Sequence, residues 1–191
     1  MTALLSLASC QEKGCTDEVA TNYNQGATFE DGSCTYTFGC TDPEALNYDS
    51  NVGIDDGSCQ TFVHWDQWVQ IASSFGTDTF AAIAHDGFDT LSIRKVYVRN
   101  DQLPVDSIYP EGTMIVLYNY SLGDTMKAYS AMVKQAEGFN PTSNDWEWFM
   151  LNKDGSIAKD NTGELLRGGN LLDNYCTECH SKAAIDFVYS N

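Results

Sequence analysis

The last part of the chain reads Cys176-Thr177-Glu178-Cys179-His180, which is a C-x-x-C-H motif. This spacing is typical of the attachment site of a c-type haem, where two thiols add to the two vinyl groups of one porphyrin. The histidine after the second thiol is then placed to ligate the iron. We therefore predict one covalent haem c attached to Cys176 and Cys179, with His180 as the iron ligand.

Two other kinds of site can use the same pair of cysteines. A zinc site with four protein ligands needs a second ligand pair, and the sequence contains no second C-x-x-C and no H-x3-H. A redox-active C-x-x-C lies early in a thioredoxin-like βαβ unit, whereas this motif lies close to the last of the 191 residues. The sequence therefore favours haem attachment over both alternatives.

The composition is strongly acidic, with 27 acidic and 10 basic residues and a formal net charge of −17. This charge argues against nucleic acid and anionic lipid surfaces as partners. Aromatic residues make up 12% of the chain, which is enough to build a core and line a haem pocket. The length predicts one domain plus a smaller segment. The sequence contains no run of 18 apolar residues, so no membrane-spanning helix is predicted.

Residues 1–10 resemble a lipoprotein-type leader. Leu7-Ala8-Ser9-Cys10 has the order of a bacterial lipobox, in which the cysteine becomes the lipidated N-terminus. No Lys or Arg precedes Cys10, although a secretory signal normally has a positive n-region. Cys10 as a free or disulfide-bonded cysteine is therefore the alternative. We predict lipidation of Cys10 and a lipid-anchored protein at the periplasmic side or cell surface of a Gram-negative bacterium.

Residues 11–60 contain a duplication of about 25 residues. The sequence Gly14-Cys15-Thr16-Asp17 returns as Gly39-Cys40-Thr41-Asp42, and Asp31-Gly32-Ser33-Cys34 returns as Asp56-Gly57-Ser58-Cys59. Four cysteines permit three connectivities. We predict the disulfides Cys15–Cys34 and Cys40–Cys59, because each repeat is then self-contained.

The repeats resemble short Gly-Cys-Thr-Asp … Asp-Gly-Ser-Cys modules of exported proteins from marine Bacteroidetes, which implies a surface or periplasmic setting. Their oxygen-bearing side chains can also bind calcium. Turn-forming Asp and Asn give the same pattern without any ion. The candidate calcium ligands are Asp17, Asn22, Asn24 and Asp31 in the first repeat and Asp42, Asn47, Asp49 and Asp56 in the second.

Residues 61–191 are rich in alternating apolar patterns. The spacing of Trp65, Trp68 and Ile71 predicts a short amphipathic helix over 64–71. Strands are predicted over 91–98, 113–118, 128–134 and 146–151, with turns between them. The Trp146-Glu147-Trp148 run is interpreted as sheet core. The predicted fold class is therefore α+β, mainly an antiparallel β-sheet, with a C-terminal haem-attachment site and a preceding disulfide-tied segment.

A β-rich domain that ends in C-x-x-C-H resembles the cytochrome P-460 family and its relative cytochrome c′-beta over about 61–189. This resemblance implies an antiparallel sheet packed with helices, a homodimer, and a haem with an open or weakly occupied distal side. The blocks that carry it, in order along the chain, are Arg94-Lys95-Val96-Tyr97-Val98-Arg99-Asn100, Tyr109-Pro110-Glu111-Gly112-Thr113-Met114-Ile115-Val116, Met132-Val133-Lys134, Asn144-Asp145-Trp146-Glu147-Trp148-Phe149, Asp154-Gly155, the haem motif, and Asp186-Phe187-Val188-Tyr189.

The chain departs from the hydroxylamine-oxidising members of that family at two positions. Those members cross-link a lysine to the haem, and this chain has Leu117 there. They also carry a carboxylate where this chain has Ser130. Lys134 is not a substitute for the cross-linking lysine, because the family has a lysine at that position as well. The pattern is nearer to the uncross-linked relatives, which bind nitric oxide or other diatomic ligands against an apolar wall.

The identity of the sixth iron ligand separates the remaining interpretations. An open site predicts binding of nitric oxide or a related nitrogen oxide, with Phe80, Phe88, Leu117 and Ser130 as distal-pocket candidates. A closed site with a protein ligand such as His64 or His85 predicts electron transfer to a partner protein. Hydroxylamine oxidation, with Glu111, Asp124 or Glu137 as acid or base, and a purely scaffolding role are further alternatives, so enzymatic activity stays open.

Overall fold

The computed structural model of the chain describes residues 11–76, 91–121 and 127–189. The chain forms two compact units, with the boundary between Thr61 and Phe62. Five residues to which predictions were attached lie outside the described residues: Cys10, Phe80, His85, Phe88 and Asp124. Within the described residues, every helix is too short or too polar to cross a membrane.

The first unit consists of the two repeats, and each is closed by its own disulfide. The bonds are Cys15–Cys34 and Cys40–Cys59, each with a sequence separation of 19, so the predicted connectivity is confirmed. In each repeat two short strands pair in parallel: β1 (Lys13–Gly14) with β2 (Phe29–Glu30), and β3 (Phe38–Gly39) with β4 (Ile54–Asp55). So few buried residues cannot stabilise a fold alone, and each bond contributes roughly 3 kcal/mol by restricting the unfolded chain.

The candidate calcium ligands accept hydrogen bonds inside the repeats. Six of the eight accept a backbone N–H two residues further along the chain, which is the geometry of an Asx turn. The two asparagines equivalent to each other, Asn22 and Asn47, instead accept the amides of Thr35 and Gln60. These contacts give the side chains a structural role, and calcium binding stays a prediction. The six Asx-type acceptors are Asp17, Asn24, Asp31, Asp42, Asp49 and Asp56.

The second unit is built on one antiparallel sheet in which each strand pairs with the next along the chain. The strands predicted from alternation over 91–98, 113–118, 128–134 and 146–151 are confirmed. The order across the sheet is β10-β9-β8-β7-β6-β5. The strands are β5 (Val69–Gly76), β6 (Ser92–Val98), β7 (Met114–Ser121), β8 (Lys127–Lys134), β9 (Trp146–Met150) and β10 (Arg167–Gly168).

Both faces of the sheet are covered, because side chains alternate along each strand. On one face Phe62 packs edge-on against Phe149, and Trp65 contacts a group of tyrosines, Tyr97, Tyr118 and Tyr129. On the other face the C-terminal segment packs on a buried apolar cluster. That cluster contains Val96, Val98, Tyr109, Ile115, Met132, Trp146, Trp148 and Val188.

The helix predicted over 64–71 is wrong. Only Trp65–Gln67 form a single 3₁₀ turn, and β5 begins at Val69 and pairs with β6. The apolar residues that suggested one face of a helix pack on two faces of the sheet. The turn buries Trp65 on one face, while Ile71 packs on the opposite face next to an irregularity of β5. Pairing with β6 satisfies the backbone of this segment better than one isolated helical turn would.

The packed helices implied by the family resemblance are not seen in the described residues. These residues contain one α-helix, α1 (Tyr175–His180), and three 3₁₀ turns at Trp65–Gln67, Arg99–Asp101 and Pro141–Ser143. The coarser prediction of a mainly antiparallel β fold is confirmed.

Candidate haem-attachment site

The C-x-x-C-H motif forms helix α1. Three consecutive residues with left-handed backbones, Leu172, Asp173 and Asn174, turn the chain into it. Cys176 and Cys179 are three residues apart, so their thiols project from the same side of the helix. Neither cysteine forms a disulfide with any described cysteine. The motif therefore presents two thiols and the following imidazole on one short element.

His180 is held by a backbone carbonyl. Its Nδ1 lies 2.6 Å from the Phe187 oxygen. A carbonyl only accepts hydrogen bonds, so Nδ1 carries the proton and Nε2 carries the lone pair that ligates a metal. Burial lowers the pKa of His180, and the hydrogen bond to Phe187 opposes part of this shift. The imidazole is therefore neutral near pH 7, which is the form that binds iron.

Two aromatic side chains flank the His180 ring. The Trp148 ring lies 4.7 Å from it and the Tyr189 ring 5.5 Å from it, measured between centroids. Trp148 Nε1 donates to Thr177 Oγ1 at 3.2 Å, and the Tyr189 hydroxyl donates to the Cys179 carbonyl at 3.0 Å. Trp148 belongs to the sheet core, as the sequence indicated, and it also contacts the predicted iron ligand.

A small apolar cleft lies between α1 and the sheet. Two of the predicted distal-pocket residues, Leu117 and Ser130, line it together with Cys176 and His180. These residues come from distant parts of the sequence, and the sheet brings them together. The sheet residues whose alternation places them on this face are Ile115 and Leu117 of β7, Ser130 and Met132 of β8, and Trp148 and Met150 of β9.

Asn119 adds a polar group on the same face of the sheet, two residues beyond Leu117. It is 1% exposed, and its Oδ1 accepts no hydrogen bond in the described part of the structure. A buried acceptor left without a donor costs about 1–3 kcal/mol. Asn119 is not among the residues that line the cleft, so it is not assigned to the site. The neutral His180 and the Cys176 thiol line one apolar cleft, and Cys179 lies on the same short helix, so the residues present fit a covalent haem.

The segment after α1 is fixed by Asp186, whose side chain is fully buried. Lys134 Nζ lies 3.0 and 2.9 Å from its two carboxylate oxygens, and the Tyr109 amide donates to one of them at 2.8 Å. The Asn144 side-chain amide donates to the other oxygen, and Trp146 Nε1 donates to the Asp186 carbonyl at 2.8 Å. We call these five residues the Asp186 network. Because the ammonium group of Lys134 is bound within the Asp186 network, Lys134 is not placed to replace a cross-linking lysine at position 117.

The thiol of Cys176 is not a reactive thiolate. Burial raises its pKa to about 11, and the nearby Cys179 adds to this shift while a backbone hydrogen bond opposes it. Redox-active C-x-x-C cysteines have lowered pKa values instead. This electrostatic environment argues against a dithiol redox site.

Several predicted residues lie away from the cleft. His64 is exposed and precedes Trp65, which packs on the opposite face of the sheet. Glu111 and Glu137 line a separate polar pocket. Of the residues that contact His180, sequence reasoning assigned no site role to Trp148 or Phe187, and only the alternation of β9 pointed towards Trp148.

Comparison of the chain with protein-family models found no match, and comparison with curated proteins found none. The proposal of a function therefore rests on the geometry of the cleft.

Proposed function

We propose that the chain is an exported cytochrome whose residues 61–191 hold one covalent haem c and bind a small ligand such as nitric oxide or a related nitrogen oxide. One observation carries this proposal: the thiol of Cys176 and the imidazole of His180 line the same apolar cleft as Leu117 and Ser130. The two disulfides of the repeat unit support an oxidising, extracytoplasmic compartment. A lipid anchor at Cys10 and a homodimer remain parts of this proposal.

Each part of the site has a separate role. When bound, haem supplies an iron that coordinates small ligands and changes oxidation state. Cys176 and Cys179 hold the group through thioethers, and His180 offers Nε2 to the metal. Trp148 and the Phe187 carbonyl restrict rotation of the His180 ring. Leu117, with its apolar neighbours on β7 and β8, excludes water and favours an uncharged ligand.

Electron transfer with a closed iron is the second candidate, and one observation favours it. Met132 and Met150 line the same cleft as His180. A thioether is a common sixth ligand in cytochromes c, where it raises the potential. A methionine-ligated haem would be insensitive to added carbon monoxide.

The test is to produce the full chain in a host that assembles c-type cytochromes. The expected product exceeds the polypeptide mass by one haem, while Cys176→Ser/Cys179→Ser does not. A high-spin spectrum that shifts on adding nitric oxide or carbon monoxide supports ligand binding. A low-spin spectrum that ignores carbon monoxide, and becomes sensitive to it in Met132→Leu or Met150→Leu, supports electron transfer instead. A colourless native protein with the bare polypeptide mass overturns both candidates and leaves a scaffolding role.

A further inference from the structure

We propose that the buried Lys134–Asp186 ion pair is a positioning device for His180 and thereby sets the reduction potential and ligand affinity of the iron. The inference rests on the proposed function, because it takes His180 as an iron ligand. Two residues that do not line the cleft thereby control the electronic state of the iron through one backbone carbonyl.

The first step is that the Asp186 network fixes a turn. Ile185 and Val188 are bridged across it, and the Val188 amide donates to the Ile185 carbonyl at 2.7 Å. Both carboxylate oxygens of Asp186, and its carbonyl, receive donors from β8, β9 and the two loops beside them. The conformation of residues 185–188 is therefore tied to the sheet and is not left to the C-terminal segment alone.

The second step is that this turn has an unfavourable backbone. Asp186 has φ +41° and Phe187 has φ +63°, in the left-handed region that side chains with a Cβ avoid. Aspartate tolerates this region, but a bulky aromatic residue such as phenylalanine rarely adopts it. Such strain persists only where the surroundings hold it, and it concentrates at functional sites. Here the contacts that hold it are those of the Asp186 network.

The third step links the turn to the metal ligand. The strained residue, Phe187, is the one whose carbonyl accepts the hydrogen bond from His180 Nδ1 at 2.6 Å. A stronger hydrogen bond at Nδ1 makes the imidazole a better donor to the metal, and loss of such an outer partner typically costs 10–100-fold in metal affinity or activity. A more basic imidazole stabilises oxidised iron over reduced iron. Relaxing the turn should therefore weaken this bond and raise the potential.

A purely structural ion pair is the competing explanation, and the chain contains a matched control for it. Glu147 and Arg167 form a second ion pair, with Arg167 Nε 2.7 Å from Glu147 Oε1; Glu147 is buried and Arg167 is partly exposed. Glu147 alternates with Trp148, so its side chain leaves the sheet on the face opposite to His180. Loss of either pair should lower the free energy of unfolding, but only loss of Lys134–Asp186 should reach the iron.

The experiment uses the full-length, haem-loaded protein and compares Asp186→Asn, Lys134→Met and Glu147→Gln. Potentiometry and the carbon monoxide dissociation constant of the reduced protein are measured, together with urea unfolding. We expect Asp186→Asn and Lys134→Met to shift the equilibrium between oxidised and reduced iron about tenfold towards the reduced form. This shift corresponds to a rise of about 59 mV in the reduction potential for a one-electron couple. Glu147→Gln should leave the potential unchanged.

A milder variant keeps the test decisive if the first two do not fold. Asn144→Gly removes one donor to Asp186, suits the left-handed backbone of Asn144 (φ +52°), and keeps the carbonyl that accepts from Lys134. It should raise the potential by a smaller amount. Unchanged potentials and carbon monoxide affinities in the folded variants overturn the inference. A native protein without covalent haem would instead overturn the proposed function, so the two failures are distinguishable.

Discussion

Leu117 on β7 and Ser130 on β8 are direct cross-strand partners, and both line the cleft that Cys176 and His180 also line. These are the two positions at which the sequence departs from the hydroxylamine-oxidising members of the family it resembles. The structure therefore places both departures side by side at the candidate haem site. This part of the cleft offers an isobutyl group and a hydroxyl, whereas the hydroxylamine-oxidising members of that family are expected to carry an amine and a carboxylate there.

The first prediction concerns hydroxylamine oxidation. We expect the native protein to oxidise hydroxylamine at a rate close to that of a ligand-binding cytochrome without a positioned base. Adding a carboxylate through Ser130→Glu in a Leu117→Lys background should raise the rate by roughly 10²-fold, which is the lower range for general acid–base catalysis. Steady-state oxidation with an artificial electron acceptor measures the change.

The control for this prediction is Leu117→Met with Ser130→Gln, which keeps similar volumes but adds neither an amine nor a carboxylate. Mass spectrometry of proteolytic fragments should detect a covalent link between the peptide around position 117 and the haem peptide only when position 117 is lysine. Rapid hydroxylamine turnover by the native protein would contradict the argument from Leu117 and Ser130.

A second prediction concerns Trp148, whose indole packs on His180 and donates to Thr177. Trp148→Ala should lower the free energy of unfolding by about 3–5 kcal/mol, as is usual for a buried tryptophan. Trp148→Phe retains most of the packing but loses the donor, so about 1 kcal/mol is expected. Urea unfolding of the haem-loaded protein provides the values.

Thr177→Val completes a double-mutant cycle, because it removes the acceptor of the same hydrogen bond without changing the shape of the side chain much. The combined variant should lose less stability than the sum of the two single losses. Strict additivity would show that the bond between Trp148 and Thr177 contributes nothing measurable.

The sequence predicted those features that depend on local pattern or on a fixed motif. Alternation identified β6 to β9, and the duplication identified both disulfides. The helix proposed over 64–71 failed because Trp65 and Ile71 pack on opposite faces of the sheet, a tertiary outcome that local spacing cannot encode. Tertiary pairing commonly overrides such short periodic signals.

Some residues of the candidate site could also be predicted from the sequence, and others could not. Cys176, Cys179 and His180 follow from their spacing, and Leu117 and Ser130 from their places next to the resembling blocks. Phe187 contributes its backbone carbonyl, and no side-chain pattern reports a carbonyl. The sequence therefore predicted which residues form the candidate site, whereas the contacts that orient its histidine could not be predicted from it.

A third prediction compares two glycines that both have left-handed backbones. Gly155 has φ +88° and Gly163 has φ +91°. A Cβ at Gly155 would lie 2.3 Å from the Phe62 carbonyl oxygen, whereas a Cβ at Gly163 would meet nothing within 4 Å. Gly163→Ala should therefore cost only the backbone term of about 1–2 kcal/mol. Gly155→Ala should cost clearly more, because the segment that carries Phe62 must also move.

Differential scanning calorimetry or urea unfolding of the two alanine variants, against the native protein, tests this difference. Equal losses would show that Phe62 yields without cost and that the close approach of its backbone to Gly155 is not a constraint on the fold.

The last prediction follows from the raised pKa of Cys176. In haem-free protein that carries Cys179→Ser, Cys176 is the thiol of the motif that remains, and its pKa of about 11 leaves roughly one molecule in a thousand as thiolate at pH 8. Alkylation by iodoacetamide at that position, followed by peptide mass spectrometry, should be slow and should accelerate about tenfold per pH unit up to about pH 11. A rate that levels off near pH 8.5, the ordinary pKa of a thiol, would contradict the burial of Cys176.

The raised pKa of Cys176 also makes the stability of the haem-free protein depend on pH. Between about pH 8.5 and pH 11 the unfolded chain loses the thiol proton while the folded chain keeps it, so the free energy of unfolding falls as the pH rises. Replacing Cys176 by alanine removes this titration, and the native haem-loaded protein should lack it too, because a thioether carries no proton to lose.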